Sequence, residues 1–231
     1  MSASERIPIA LLPGMDGTGE LLDALASRLS LSRPVHIVSY PLDKPLGYAG
    51  LTGYAAARLP EGRFAILGES FSGPIAIEIA ASEPRAAGLI LASSFAWHPL
   101  PSLLSPLARR LDLRWMPSKI VDAALLNSVA TPSLRARLRE IREKLPPEII
   151  QARTAEVLRV DKRRRLAQVA CPVMCLQGRF DRVTGKRCLR QVLAAQPGCQ
   201  VRWLDAPHML LETHPDEAAK AIDEFLTTGE W

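Results

Sequence analysis

FAILGESFSGPIAIEIAAS, residues 64–82, is the stretch that decides the fold. Its apolar start, Phe64–Leu67, predicts a short buried strand. Pro74–Ser82 predicts a helix with a proline near its start, where helices tolerate one. The turn between them is made of small residues around Ser70. A strand, a sharp turn with a central serine and a helix predict a nucleophile raised above a parallel sheet.

Two other interpretations of this turn stay open on the residues alone. A loop rich in glycine and serine joins strand to helix in many α/β proteins without any chemistry. Ser72 is a rival hydroxyl, but the nucleophile of such a turn follows its first glycine, Gly68, by two residues, which favours Ser70. We interpret Ser72 as a small residue that makes room for the turn.

Short apolar strands and helical patterns alternate on both sides of this turn. Strands that are apolar throughout are typical of a parallel sheet covered by helices on both faces. The predicted strands are Ile7–Leu12, Val35–Val38, Phe64–Leu67, Leu89–Ala92, Val173–Gln177 and Cys199–Leu204. The predicted helices are one carrying Leu21, Leu22, Leu25 and Leu29, then Gly50–Leu59, Pro74–Ser82, Lys186–Ala195 and Glu217–Thr227. The pattern predicts a doubly wound α/β fold with a mainly parallel sheet of about six strands.

The alternation breaks between Trp97 and Arg165, which we call the basic segment. It holds 15 basic and 7 acidic residues, a balance of +8, whereas the rest of the chain has a balance of −3. Its leucines, prolines and arginines predict a helical lid or cap insertion. We therefore expect residues 1–96 and 166–231 to form the two parts of one α/β core, with residues 97–165 inserted between them.

Composition excludes several classes of protein. The chain has 231 residues, of which 48% are apolar, enough for one sizeable core. No apolar run approaches the roughly 20 residues of a membrane span. The apolar run that follows Met1–Arg6 ends at Leu12 and is too short for the apolar region of a secretory signal. Four unevenly spaced cysteines make no disulfide framework. We expect a cytoplasmic protein.

Neither a cofactor nor a metal is expected from the motifs. The loop after the first strand carries Gly14, Gly17 and Gly19, which is not the spacing of a dinucleotide-binding loop, and no phosphate-binding lysine follows. Cys171 and Cys175 have no nearby histidine or cysteine pair that would close a zinc site, so we interpret the cysteines as buried thiols.

Two further residues follow later strands and complete a possible catalytic set with Ser70. Asp181 comes just after Val173–Gln177, and His208 just after the next strand. The ends of parallel strands meet at one edge of a sheet, and a nucleophilic hydroxyl needs a base that is oriented by a carboxylate. Each has an ordinary alternative, since Asp181 could cap a turn and His208 could be a surface histidine. Asp205 is a rival orienting carboxylate.

These residues resemble the α/β-hydrolase superfamily over residues 7–97 and 166–228, in the chain order serine, aspartate, histidine. The resemblance implies Ser70 as nucleophile, His208 as general base and acid, and Asp181 as the orienting carboxylate. It also implies an oxyanion hole made by the backbone N–H groups of Met15 and Phe71. The loop and the turn are similar to those of the hydrolase-like part of plant phytyl ester synthases and of small bacterial hydrolases.

The sequence departs from the family pattern at three places. Pro13-Gly14 stands where the family's oxyanion loop commonly has His-Gly, and Ser72 stands where the turn usually ends in glycine. Ile7–Leu12 corresponds to the family's third strand, so we expect a core that lacks the first two. A serine at the turn excludes the dehalogenase- and epoxide-hydrolase-type chemistry that needs an aspartate there.

The resemblance implies a carboxylesterase or thioesterase that works through an acyl-enzyme on Ser70. An acyltransferase using the same acyl-enzyme and a non-catalytic ligand-binding relative are the alternatives. We expect the acyl group to lie against Phe95, Trp97 and Met209. No nucleic acid is expected, because the arginines are not interleaved with stacking aromatic residues.

Three interpretations of the basic segment remain open. Its arginines could be solvated faces whose stems cover apolar surface. They could instead receive an acidic carrier protein or the phosphates of CoA. Finally, Leu103–Met116 could rest on anionic lipid.

Overall fold

The computed structural model describes residues 6–99, 118–127 and 129–228 of the chain. The predicted lipid-facing stretch, residues 103–116, lies outside the described residues. Within them, the six predicted strands form one sheet in which every neighbouring pair is parallel. Its order is β2-β1-β3-β4-β5-β6. The bounds are β1 (Ile9–Leu12), β2 (Val35–Ile37), β3 (Phe64–Glu69), β4 (Ala86–Ala92), β5 (Val173–Gly178) and β6 (Gln200–Leu204).

The period-two geometry of the strands divides the core into two layers. In β1, Ile9 and Leu11 pack into the core on one face, and Ala10 and Leu12 pack into the core on the other. All four residues are fully buried. The apolar character of the strands is therefore explained by helices on both faces, as the sequence predicts.

Helices from both halves of the sequence cover these two layers. α1 (Asp23–Leu29) and α10 (Pro215–Thr228) pack together on the side of Ile9. The short helix α9 (Leu210–Thr213) precedes α10 in the chain and packs on the same side. α2 (Tyr48–Ala56), α3 (Gly73–Ser82) and α8 (Gly185–Ala195) bury residues on the side of Ala10. None of the described helices is long and apolar enough to cross a membrane.

The described part of the basic segment is helical. Its helices are α4 (Ser118–Leu125), α5 (Pro132–Lys144), α6 (Pro147–Val157) and α7 (Arg163–Leu166). The segment leaves the core and returns at one place, where Trp97 and Asp161 form an isolated antiparallel bridge. The Lys162 N–H donates to the Ala96 carbonyl over 2.6 Å, and the His98 N–H donates to the Val160 carbonyl over 3.1 Å.

Ion pairs join the basic segment to the acidic core. Arg137 of α5 contacts Asp23 of α1 over 2.6 Å, and Lys162 contacts Glu78 of α3 over 2.6 Å. Arg165 contacts the second oxygen of Glu78 over 2.8 Å. The uneven charge of the sequence is thus partly balanced inside the molecule. The exposed pair of Arg137 with Asp23 is worth about 0–1 kcal/mol.

Gly178 at the end of β5 provides a test of the packing that positions the site. A Cβ atom at this position would overlap the carbonyl oxygens of Ala206 and Pro207, which are backbone atoms and cannot rotate away. We expect Gly178→Ala to lower the free energy of unfolding by about 1–3 kcal/mol. Chemical denaturation measures this loss. Gly198→Ala is the matched control, because a Cβ there meets nothing within 4 Å. If both variants unfold alike, the close packing is wrong.

Candidate active site

Ser70 lies where β3 meets the helix α3. The strand ends at Glu69, and Ser70–Ser72 forms one 3₁₀ turn before the α-helix begins at Gly73. The φ angle of Ser70 is +43°, a left-handed conformation that costs a residue with a side chain about 1–2 kcal/mol. The side chain is only partly buried. An observed strain of this kind at a partly exposed hydroxyl is typical of functional sites.

His208 and Asp181 meet Ser70 in one line of hydrogen bonds. Ser70 Oγ lies 2.8 Å from His208 Nε2, and His208 Nδ1 lies 3.0 Å from Asp181 Oδ2. Because a carboxylate can only accept here, Nδ1 carries the proton and Nε2 is free to accept from the serine hydroxyl. His208 is 5% exposed, so the imidazole is held against movement by its surroundings.

The Asp181 carboxylate is held by a full set of donors. The Val183 and Thr184 N–H groups donate to Oδ1 over 2.7 and 3.0 Å. The Gln177 amide, over 2.9 Å, and the Thr184 hydroxyl, over 2.5 Å, donate to Oδ2 beside His208. Burial alone would raise the pKa of Asp181, but the hydrogen bonds from His208 and Thr184 outweigh it and hold that pKa below its ordinary value. Asp181 is therefore ionised in the folded protein.

The two predicted oxyanion donors, the Met15 and Phe71 N–H groups, have no hydrogen-bond partner among the described residues. The carbonyl of each of these peptides is bonded. Ser94 Oγ donates to the Ser70 carbonyl over 2.6 Å, and the Gly17 N–H donates to the Gly14 carbonyl over 3.1 Å. A hydrogen bond to the carbonyl polarises its peptide and strengthens the N–H as a donor.

Ser72 has a larger part than our interpretation gave it. Its hydroxyl donates to the Pro13 carbonyl, and the Tyr40 hydroxyl in turn donates to Ser72 Oγ over 2.6 Å. Tyr40 and Ser72 are both buried, and burial raises the pKa of Tyr40. Ser72 thus joins the serine turn to the loop after β1. This contact explains why a hydroxyl can stand where the family has glycine.

Glu69 and Glu212 form a buried carboxyl pair behind the same loop. Glu69 accepts from the Gly14 N–H over 3.0 Å. Both Glu212 carboxyl oxygens are buried, and no N–H or hydroxyl group of the described residues donates to them, which leaves the Glu69 carboxyl as their neighbour. Burial raises the pKa of both groups, and the charge of Glu69 raises that of Glu212 further. Two adjacent carboxylates cannot both ionise at low cost, so the pair keeps a proton to a higher pH than a free glutamate does.

Glu212→Gln tests this buried pair. The folded protein binds more protons there than the unfolded chain, so the wild-type free energy of unfolding falls as the pH rises above about 4.3, the ordinary pKa of glutamate. We expect the variant to gain stability over the wild type from pH 5 to pH 8, measured by urea denaturation. Glu217→Gln, which removes an exposed carboxyl from α10, should give no such gain. Parallel curves for wild type and Glu212→Gln would contradict the shared proton.

The three predicted pocket residues lie in different surroundings. Phe95 is buried in the main core, and Met209 packs with residues of the basic segment in a small apolar cluster. The centroid of the Trp97 ring lies 4.5 Å from the guanidinium carbon of Arg163 and 5.3 Å from that of Arg187. Their contact with an acyl group stays a prediction. The members of the small cluster are Leu21, Leu126, Leu138, Ile141 and Met209.

A cleft of about 910 Å³ opens beside the Asp181 loop. Its walls combine three arginines with exposed apolar side chains, of which Phe180 is 53% exposed. The residues lining the cleft are Asp122, Ala123, Asn127, Val129, Arg135, Arg179, Phe180, Asp181, Arg182 and Pro207.

All four cysteines are free thiols, three of them buried. The described residues contain no group of three or more potential metal ligands.

Solved structures resemble the whole chain. An enol-lactonase from Burkholderia xenovorans superposes with a TM-score of 0.84 at 19% identity, over 97% of this chain and 92% of that chain. The chain has the α/β-hydrolase fold. An esterase from Exiguobacterium antarcticum gives 0.83 at 12% identity, over 99% and 94% of the two chains. A bromoperoxidase from Bacillus anthracis gives 0.80 at 16%, over 97% and 93%. No protein-family model and no curated protein sequence matches the chain.

The α/β-hydrolase fold brings Ser70, Asp181 and His208 to one edge of the sheet. Sequence reasoning missed the polar residues that surround them. Glu69, Ser94 and Arg153 act on the turn and the loop through contacts that no local pattern records. The one sequence signal was Glu69 itself, a carboxyl in an otherwise apolar strand directly before the serine.

Proposed function

We propose that the protein is a serine hydrolase that cleaves a carboxylic ester or thioester through an acyl-enzyme on Ser70. The observation that carries the proposal is the unbroken line from the Ser70 hydroxyl through His208 to Asp181, with links of 2.8 and 3.0 Å. A hydroxyl, a base with its accepting nitrogen toward that hydroxyl and a buried carboxylate are what nucleophilic acyl transfer requires.

The reaction would proceed in two halves. Ser70 Oγ attacks the acyl carbon while His208 Nε2 takes its proton, and the electron pair of the C=O bond moves to the oxygen. The Met15 and Phe71 N–H groups would stabilise this oxyanion. The intermediate collapses, the bond to the leaving alcohol or thiol breaks, and His208 returns the proton to the leaving group. Water then repeats the sequence on the acyl-enzyme and releases the acid.

Structures of similar fold support a hydrolase, since their names include an enol-lactonase and esterases. Nothing in these comparisons supports a carrier protein or CoA as partner, and several cations of the basic segment are already paired with core carboxylates. We therefore propose a small-molecule acyl substrate. Phe95, Trp97 and Met209 remain our proposal for the acyl-binding side.

A panel of p-nitrophenyl esters and acyl-CoAs of graded chain length tests the proposed function. Turnover of at least one series and labelling of Ser70 by a fluorophosphonate are expected. Failure of both in the folded protein would favour a non-catalytic ligand-binding relative. Adding an alcohol acceptor separates the remaining alternative, because an acyltransferase forms a new ester where a hydrolase forms free acid. A preference for acyl-CoA over the matching neutral ester would support a phosphate-binding role for the basic segment.

A further inference from the structure

Arg153 of α6 is one of the largest fully buried side chains of the protein, with 1% of its surface exposed. Its guanidinium reaches out of the basic segment into the loop after β1. Nη1 donates to the carbonyls of Met15 and Asp16, each over 2.7 Å, and Nη2 lies 3.4 Å from the Pro41 carbonyl. The short hydrogen bonds of this buried cation therefore go to backbone carbonyls of the loop that carries a proposed oxyanion donor, and the ring centroids of Tyr40 and Phe71 lie 5.7 and 5.9 Å from its guanidinium carbon.

The surroundings of Arg153 differ from those of Arg33, which is also buried. Arg33 is 2% exposed and is paired with Asp223, over 2.9 Å from Nε and 2.8 Å from Nη2. No carboxylate of the described residues lies within ion-pair distance of Arg153. Burial lowers the pKa of Arg153, although Asp16 opposes that effect. A buried charge without a paired carboxylate is costly, so its position calls for an explanation other than an ion pair.

The loop itself explains the position, because it is fixed at both sides of Met15. Before Met15, the Pro13 carbonyl is bonded by Ser72 and the Gly14 N–H by Glu69. After Met15, its own carbonyl and that of Asp16 are bonded by Arg153. The Met15 N–H between these anchors is left without a partner among the described residues. Such an arrangement holds an amide ready for a charge that appears only during reaction.

Gly17 permits the approach of the arginine. Its φ angle is +73°, and a Cβ atom there would overlap the Arg153 guanidinium. The Gly17 carbonyl also accepts from the Tyr40 N–H over 2.7 Å, so the loop cannot simply move aside. Glycine at this position therefore serves both the turn and the close contact with α6.

We propose that Arg153 is a positioning residue that holds the Met15 amide in place for the oxyanion. This inference rests on the proposed function. It makes the basic segment part of the oxyanion site, because the anchors at the Met15 and Asp16 carbonyls come from α6, whereas the core holds the loop only further on, at the Gly17 carbonyl. α6 has a second attachment, since Glu156 accepts from the Tyr48 N–H over 2.7 Å. The helix therefore remains attached when the guanidinium is removed.

The test compares Arg153→Met and Arg153→Lys with the wild type on the best ester of the panel. We expect Arg153→Met to lower kcat about 10- to 100-fold, less than the full loss of one oxyanion donor, with KM changed by less than about threefold. Affinity for a boronic acid that forms a tetrahedral adduct with Ser70 should fall by about the same factor as kcat. Affinity for the product acid should not. Arg153→Lys keeps a cation at one carbonyl, so its kcat and its affinity for the boronic acid should lie between those of the wild type and Arg153→Met.

Arg33→Met is the matched control, since Arg33 is likewise buried but bonds Asp223 and the Ile7 carbonyl, at the opposite end of β1 from the loop. It should lower stability and leave kcat and boronic acid affinity unchanged. Equal kcat in wild type and Arg153→Met would overturn the inference and leave the proposed function intact. So would a loss in KM alone, or equal weakening of boronic acid and product acid. A wild-type protein that neither turns over an ester nor reacts with a fluorophosphonate would overturn the proposed function and this inference with it.

Discussion

Ser70→Ala is expected to lower kcat for the best ester by about 10³- to 10⁶-fold, which is the largest effect we predict for a single substitution. The hydroxyl is the group that would form the acyl-enzyme, and in the part of the chain that the structure describes no other hydroxyl bonds His208 Nε2. A residual rate over the uncatalysed reaction is expected from binding and the oxyanion donors. Steady-state kinetics measures the loss in kcat. Mass spectrometry of the wild type after fluorophosphonate treatment should find the label on Ser70 alone.

Ser70→Gly separates chemistry from folding in this experiment. Both variants lack the hydroxyl and should lose kcat equally, but glycine adopts the φ angle of +43° without strain. We therefore expect the glycine variant to be about 1 kcal/mol more stable than the alanine variant. Near-normal ester turnover in either variant would remove Ser70 from the mechanism.

Asp181→Asn is expected to lower kcat about 10⁴-fold, the cost of the corresponding change in a serine–histidine–aspartate triad. The asparagine oxygen would keep the Val183 and Thr184 N–H groups, so its NH₂ group would face His208 Nδ1. Nδ1 would then have to accept, which moves the imidazole proton to Nε2. In that tautomer the histidine cannot take the proton of Ser70.

Asp205→Asn is the control, because Asp205 lies on the loop of His208 and is the alternative candidate for the orienting carboxylate. Its side chain is 76% exposed and pairs with Arg179 over 2.9 Å, so kcat should change less than twofold. Stability adds a second readout. The lowered pKa of Asp181 means that the wild type loses stability as the pH falls below about 3.9, the ordinary aspartate value, and Asp181→Asn should lack that loss. Comparable activity of Asp181→Asn and the wild type would contradict the assignment.

The four inner strands could be predicted because each is a short apolar run that ends at a glycine, proline or polar residue, whereas the edge strands β2 and β6 carry polar residues among their apolar ones. Fold geometry then brings the strand ends together, so Ser70, Asp181 and His208 could be proposed as neighbours although they are up to 138 residues apart. The ends of elements were less accurate. Ile7 and Pro8 precede β1, and β4 begins at Ala86, three residues before the predicted start.

The polar surroundings of the site could not be predicted in the same way. Ser72 looks like a small spacer when only its neighbours in sequence are considered, and its actual partner is Tyr40, which the chain brings back from 32 residues earlier. Arg153 looks like one of many surface cations, yet it is buried 138 residues from Met15 in sequence. Burial of a polar side chain depends on which elements pack on it, and residue spacing does not record that.

The bridge between Trp97 and Asp161 has a consequence for exchange of segments between proteins. Since the chain departs and returns at one point, the stretch between these residues can be replaced by a stretch of another length without altering the register of any strand. Recombination or engineering could thus transplant a foreign helical stretch onto this sheet. A transplanted stretch would retain full rate only if it also brings a cation to the carbonyls of Met15 and Asp16.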